Sequence, residues 1–153
     1  RLPRAIRDVY KRQAIGVSRA SLEELRRILE EAGIEIDYDA PAHTQSAAAA
    51  EYLKLESDWE AAYLLALRAA WMADNKQPNT LEASECKAKA GRAGTEICLR
   101  AVQLAGTFGY SERNLLEKWS RDVKILDIFE GTQQIQQLVV ARRTLGLSSK
   151  ELK

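Results

Sequence analysis

The residues with most chemical promise lie near the end of the chain, in Asp127-Ile128-Phe129-Glu130-Gly131-Thr132-Gln133-Gln134-Ile135-Gln136. Glu130 stands between an apolar Ile-Phe pair and a glycine, at the joint before a helix. A carboxylate set against apolar side chains loses hydration, so its pKa rises and it becomes suited to take a proton from a weak carbon acid. Composition alone favours an ordinary solvated loop glutamate. A second group is Gln103-Leu104-Ala105-Gly106-Thr107-Phe108-Gly109-Tyr110, a turn whose glycines expose backbone N–H groups. It could cradle a phosphate, although a weak glycine loop is more often just a helix stop. The third is Arg121-Asp122, read as a structural ion pair.

The elements that must position these groups are helices. Apolar residues recur three and four apart over most of the chain after residue 13. A first helix is expected over about 14–32, with Leu22, Leu25, Ile28, Leu29 and Ala32 on one stripe and Gly33 as a left-handed cap. The stretch 34–45, IEIDYDAPAHTQ, breaks the pattern; IEIDYD could be a strand but has no partner segment, which favours a loop. A second helix is expected from about Ser46 to Asp74, its stripe running from Tyr52, Leu55 and Trp59 through Ala62, Tyr63, Ala66, Leu67 and Ala70 to Trp71. The third should run from an N-cap at Thr80 to about Ala105. Its face of small residues, Ala83, Cys86, Ala90, Ala93, Gly94, Ile97 and Ala101 with Leu104, lets neighbours approach closely and suggests a central helix. A short helix follows over about 112–129, then a last one from Thr132 to about Leu145, with Ile135, Leu138, Val139 and Arg142 on one side and Gly146 as its stop. Four substantial helices with short connections predict an all-α, antiparallel up-and-down four-helix bundle.

Composition narrows the field. The 153 residues are 46% apolar and 29% charged, suited to one compact domain, two at most. No apolar run is long enough to span a bilayer, and no apolar stretch follows the charged start as in a signal peptide. Cys86 and Cys98 fall on one helix, too far apart to bridge, which fits a reducing cytoplasm. A lone His43 and two separated thiols do not make a metal site. The net charge of +1 divides unevenly: residues 1–13 carry Arg1, Arg4, Arg7, Lys11 and Arg12 against Asp8, whereas the other 140 carry 18 bases and 21 acids. An acidic main body argues against a nucleic-acid partner. The basic start, and DVYKRQ above all, resembles translated adapter sequence, so 1–13 is expected to be a non-native stub. The bundle is then expected over 14–147 and a tail over 148–153. A start at Arg1 and a single methionine, Met72, suggest a piece of a longer polypeptide.

Taken together, AVQLAG-x-x-GY, then RD-x-K, then I-x-EGTQQIQ-x-x-VAR closely resemble the C-terminal helical domain of acyl-CoA dehydrogenases. The likeness runs over about 14–146 and is most specific over 100–143. It implies an FAD-dependent enzyme that oxidises an acyl-CoA thioester to its trans-2-enoyl form, this chain supplying one of three domains and being inactive alone. Glu130 then matches the base that removes the α-proton while hydride leaves Cβ for flavin N5, and its own N–H polarises the thioester carbonyl. Phe129 would line the acyl channel, and Gly131 would leave room for the thioester. Thr132, Gln133 and Gln134 would meet FAD at a helix N-terminus. Gln103, Gly106 and Thr107 would hold the adenine-dinucleotide end of FAD from a partner subunit, and Gln45 would be a further FAD contact. The implied partners are an acyl-CoA substrate, an electron-transferring flavoprotein as acceptor, and further subunits in a homodimer or tetramer, or in a hetero-oligomer.

Two departures stand out. The family carries two adjacent glycines after the glutamine, and here the second is Thr107. The Arg-x-x-Phe-Gly turn that gives FAD an arginine is replaced by IEIDYDAPAHTQ, which holds none. The competing reading is a non-catalytic helical oligomerisation module whose flavin site has decayed.

Overall fold

The computed structural model describes residues 4–148 and 151; residues 1–3 of the basic start and most of the 148–153 tail lie outside them. Five α-helices follow one another: α1 (Arg4–Glu31), α2 (Ala47–Asp74), α3 (Thr80–Leu104), α4 (Leu116–Ile128) and α5 (Gln133–Leu145). Among the described residues there is no β-strand, so IEIDYD is loop. The all-α expectation holds among the described residues, and the short helix expected over about 112–129 is α4.

The ends follow from local chemistry. Ser46 caps α2 by accepting from Ala49 N–H at 3.2 Å, an arrangement worth about 1 kcal/mol. Gly33 (φ +75°) ends α1, with Ile34 N–H on Leu29 O at 2.9 Å. Gly146 (φ +68°) ends α5, with Leu147 N–H on Arg142 O at 2.9 Å. Three boundaries move. α1 begins at Arg4 and runs unbroken through the basic start, so that ten residues, nearly three turns, precede the buried Ala14. α3 is capped by Asn79 rather than Thr80, and the Asn79 side chain instead donates to Ala69 O at 2.9 Å, tying α3 to the end of α2. α4 begins at Leu116 because Asn114 takes the Leu116 N–H at 2.9 Å and donates to Phe108 O, which holds 111–115 as turns.

Cross-links fix the arrangement. Arg68–Glu82 at 3.4 Å, Lys89–Asp58 and Arg100–Glu51 at 3.1 Å pair rising positions of α3 with falling positions of α2, so the two are antiparallel. Trp59 Nε1 donates to Ile15 O at 2.9 Å, setting α2 against α1. α3 is the centre: it packs on α1, α2, α4 and α5. Its small residues explain that. A Cβ on Gly94 would lie 3.1 Å from both Ser18 Oγ and Val123 Cγ2, so α1 and α4 both close in on this one position. The main core joins Leu22, Leu25, Leu29, Tyr52, Leu55, Ile97, Ala101 and Leu116.

Two predicted apolar stripes stay open. On α2, Tyr52, Leu55 and Ala62 are buried, but Leu67 and Trp71 are 47% and 58% exposed. There α2 and the start of α1 diverge around a groove of about 760 Å³ lined by Ile15, Trp59, Tyr63 and Leu67. On α5, which packs on α3, Ile135 and Leu138 are about half exposed and no residue is fully buried.

Candidate active site

Glu130 is placed by the way α4 stops. Phe129 N–H closes the helix on Ile125 O at 3.1 Å, and Phe129 itself is extended (φ −81°, ψ 165°). Its side chain packs on Ala14, Cys98, Val123 and Leu126, so the joint is fastened to a core shared by α1, α3 and α4. Glu130 then adopts φ +59° and Gly131 φ +95°. The left-handed region costs a residue bearing a Cβ about 1 kcal/mol or more. Lys76 (φ +56°) is comparable, but its conformation closes α2, with Lys76 N–H on Ala73 O and Gln77 N–H on Met72 O. Glu130 follows an extended residue and stands outside that helix-ending pattern. A half-buried glutamate where glycine would be at ease marks a position at which the side chain outweighs backbone comfort.

The next residues open α5. Thr132 is the N-cap expected for it, its Oγ1 accepting from Ile135 N–H at 3.5 Å. Gln133 is half-buried and Gln134 exposed, both in a first turn whose N–H groups have no acceptor within the helix. Gln136 was given no role by its sequence position. It folds back over the joint: a Cβ on Gly131 would sit 2.4 Å from Gln136 Nε2.

Gln103 and Gln133 come from separate motifs but share one groove of about 360 Å³, walled by Arg92, Glu96 and Arg100 of α3 and Lys124 and Asp127 of α4. Gln103 is exposed, and its Oε1 accepts from Arg100 at 2.7 Å. Gly106 (φ +59°) has open space where a Cβ would be, and Thr107 is exposed. Gly109 has a different reason to be glycine: its Cβ would lie 2.2 Å from Val102 O. One glycine of the turn thus leaves backbone approachable, and the other lets the chain pass over α3.

Gln45 is not brought to this groove. Its amide accepts from Asp37 N–H at 3.1 Å and donates to Asp37 O at 2.8 Å and Ala40 O at 3.0 Å, so it fastens the 34–45 loop. Nor do Arg121 and Asp122 pair with each other. Arg121 reaches back one turn to Glu117 at 2.8 Å, holding that carboxyl below its ordinary range, and Asp122 pairs with Lys118. Neighbouring residues point about 100° apart around a helix, whereas residues four apart face each other. Cys86 and Cys98 are both buried on α3; desolvation pushes the Cys98 thiol up to about 11.

Residues 9–145 match the family model of the acyl-CoA dehydrogenase C-terminal domain, and the chain belongs to that family. The match begins inside the basic start. Among relatives, subunit CarC of the caffeyl-CoA reductase–Etf complex of Acetobacterium woodii is 35% identical over 129 residues, 84% of this chain and 33% of that protein. The mitochondrial short-chain specific acyl-CoA dehydrogenase of Mus musculus is 35% identical over 133 residues, 87% of this chain and 32% of that one. Butyryl-CoA dehydrogenase from Megasphaera elsdenii superposes with a TM-score of 0.76 at 27% identity, over 91% of this chain and 36% of that one. The glutaryl-coenzyme A dehydrogenase–glutaryl-CoA complex shares the fold, with a TM-score of 0.81 at 24% identity, over 94% of this chain and 36% of that one. The chain spans about a third of the length of the relatives it matches.

Proposed function

We propose that the chain acts as the C-terminal domain of an FAD-dependent acyl-CoA dehydrogenase, with Glu130 as the base that removes the α-proton of an acyl-CoA thioester. The observation that carries this reading is Glu130 itself: a half-buried glutamate held in the left-handed conformation between a core-anchored Phe129 and Gly131. The carboxylate takes the α-proton, the Cα–H electron pair becomes the new Cα–Cβ double bond, and the Glu130 N–H donates to the carbonyl oxygen where charge gathers. Phe129 and Gly131 bound the thioester. Flavin, when bound, accepts the hydride that leaves Cβ. An electron-transferring flavoprotein then takes those electrons, a role in keeping with the Etf complex named for the Acetobacterium woodii relative.

The residues present suit FAD in two of the three segments expected to hold it. Thr132, Gln133 and Gln134 offer first-turn amides and side-chain donors of the kind a pyrophosphate or ribityl chain takes. Gly106, Thr107 and Gln103 offer an open backbone and an exposed amide to a second subunit's FAD. Gln45 does not fit, because its amide is already committed to its own loop. The assembly proposed is therefore a homodimer or a tetramer, or a hetero-oligomer in which the second subunit is a different chain. No described helix is long and apolar enough to cross a membrane, and two cysteines twelve residues apart on α3 cannot bridge each other, in keeping with a reducing cytoplasm.

The test is Glu130→Gln in the full-length polypeptide. Anaerobic mixing with acyl-CoA should bleach the flavin at least about a hundredfold more slowly, with flavin content unchanged. Bleaching at the native rate would remove Glu130 from the chemistry. One observation favours the alternative, an oligomerisation module without catalysis: Ile135 and Leu138 leave an apolar stripe on α5 half exposed. A full-length protein that purifies colourless and takes up no added FAD would establish that alternative.

A further inference from the structure

Lys87 carries an ammonium group yet is only 5% exposed, and the proton transfer does not use it. A buried ammonium is tolerated only where strong acceptors replace its water. One acceptor is Leu126 O, to which Lys87 Nζ donates across the α3–α4 interface. In an uninterrupted helix that carbonyl would accept from the N–H of residue 130. Phe129, extended at ψ 165°, carries the chain off the helix instead, and the last carbonyls of a helix need a donor from elsewhere. Lys87 supplies one, and does so as a cation at the negative end of the α4 dipole. One turn further along α3, Gly91 lets the same joint settle closer: a Cβ there would lie 2.8 Å from Asp127 Oδ1 and 3.0 Å from Asp127 Cα. Residues 126 and 127 are thus gripped from α3, three residues before Glu130.

We infer that Lys87 is a positioning residue, whose ammonium fixes the end of α4 so that the Glu130 carboxylate stands where the substrate α-carbon arrives. The inference rests on the reading of Glu130 as the base. Lys87 touches neither substrate nor cofactor in it; its effect passes through Leu126 O and the α4–α5 joint.

The experiment compares Lys87→Gln and Lys87→Arg in the full-length enzyme, by hydrogen exchange resolved to peptides and by steady-state kinetics with an acyl-CoA. For K87Q, amides of 127–132 should exchange about tenfold faster while those of α1 and α2 keep their rates. Its kcat should fall about tenfold or more with KM within about twofold, because a displaced base weakens the chemical step and not binding. K87R, which still brings a cation to the carbonyl, should recover most of both. The inference is overturned if K87Q leaves 127–132 unchanged, speeds exchange evenly through α1–α3, or is matched in its losses by K87R. Should K87Q fail to fold, Gly91→Ala decides the matter from an uncharged position on the same grip: it must show the same local exchange and the same drop in kcat, and a native value of either overturns the inference. The two readings fail separately. Native flavin bleaching in E130Q would remove the base, whereas the exchange of 127–132 in K87Q reports the anchor alone.

Discussion

Two turns at the ends of helices contain a residue with φ +59°, and they are built in opposite ways. At the end of α3 that residue is Gly106, with nothing within 4 Å of its absent Cβ. The turn is fastened by its own neighbourhood: Gly109 N–H on Gly106 O at 3.0 Å, and Asn114 between Phe108 O and Leu116 N–H. After α4 the residue is Glu130, and its fastenings come from other helices: Lys87 and Gly91 of α3, and Ala14 of α1 and Cys98 of α3 in the core under Phe129. The turn after α3, which only redirects the chain, uses glycine and local hydrogen bonds. A turn that presents a side chain accepts backbone strain and needs distant support to keep it.

The largest expected effect tests the first half of that contrast. In the glycine turn, Gly109 and Gly106 are glycines for different reasons, so alanine should separate them. Gly109→Ala drives a Cβ into the Val102 backbone, 2.2 Å from its O and 2.8 Å from its Cα, and should destabilise by about 3 kcal/mol in chemical denaturation of the chain. Gly106→Ala meets no atom and pays only for its dihedral, about 1 kcal/mol. Equal losses would mean that the local packing of the turn had been misread.

A second, smaller effect probes the core under the Glu130 turn. Cys98 lies in that core, 3.2 Å from Ser21 Oγ, and burial pushes its thiol up to about 11. A raised folded-state value means stability that is complete below the unfolded thiol's ordinary value and is lost as pH rises through the folded one. Between about pH 9 and 11 the chain should therefore lose about 2 kcal/mol that Cys98→Ala does not lose. Parallel stability profiles for the two proteins over that range would show that this core opens to solvent, and with it the support of Phe129.

The sequence made some of this plain and hid the rest, for physical reasons. Helix stops at Gly33 and Gly146, caps at Ser46 and Thr132, and the small-residue face that makes α3 central are all local or periodic signals. The openness of the outer half of α2 was hidden because an apolar stripe states that a face is apolar, not that anything covers it; Trp71 remains 58% exposed. At the site, Glu130, Thr132 and Gln133 were legible as one motif, and Gln103 as another, but only the fold brings Gln103 and Gln133 to a single groove. Lys87 was not legible. On an amphipathic helix a lysine reads as a solvated residue, and its burial depends on where α4 ends, about forty residues away. The fastening of the 34–45 loop by Gln45 was equally hidden, since its hydrogen bonds to Asp37 and Ala40 depend on the loop's own path.

The smallest effect bears most directly on the contrast, because it asks whether the Glu130 turn is strained at all. Glu130→Ala and Glu130→Gly both remove the carboxylate, so both should abolish substrate-dependent flavin bleaching if Glu130 is the base. They differ in the backbone. Alanine at φ +59° keeps the steric cost of a Cβ in the left-handed region, and glycine releases it. Release is partly offset because glycine also frees the unfolded chain. E130G should therefore be more stable than E130A by about 1 kcal/mol in denaturation, a gain obtained together with complete loss of the base. An E130A as stable as E130G would show that the joint relaxes without its carboxylate. The glutamate would then be shaping the turn through its own contacts, and the two turns would differ less than their residues suggest.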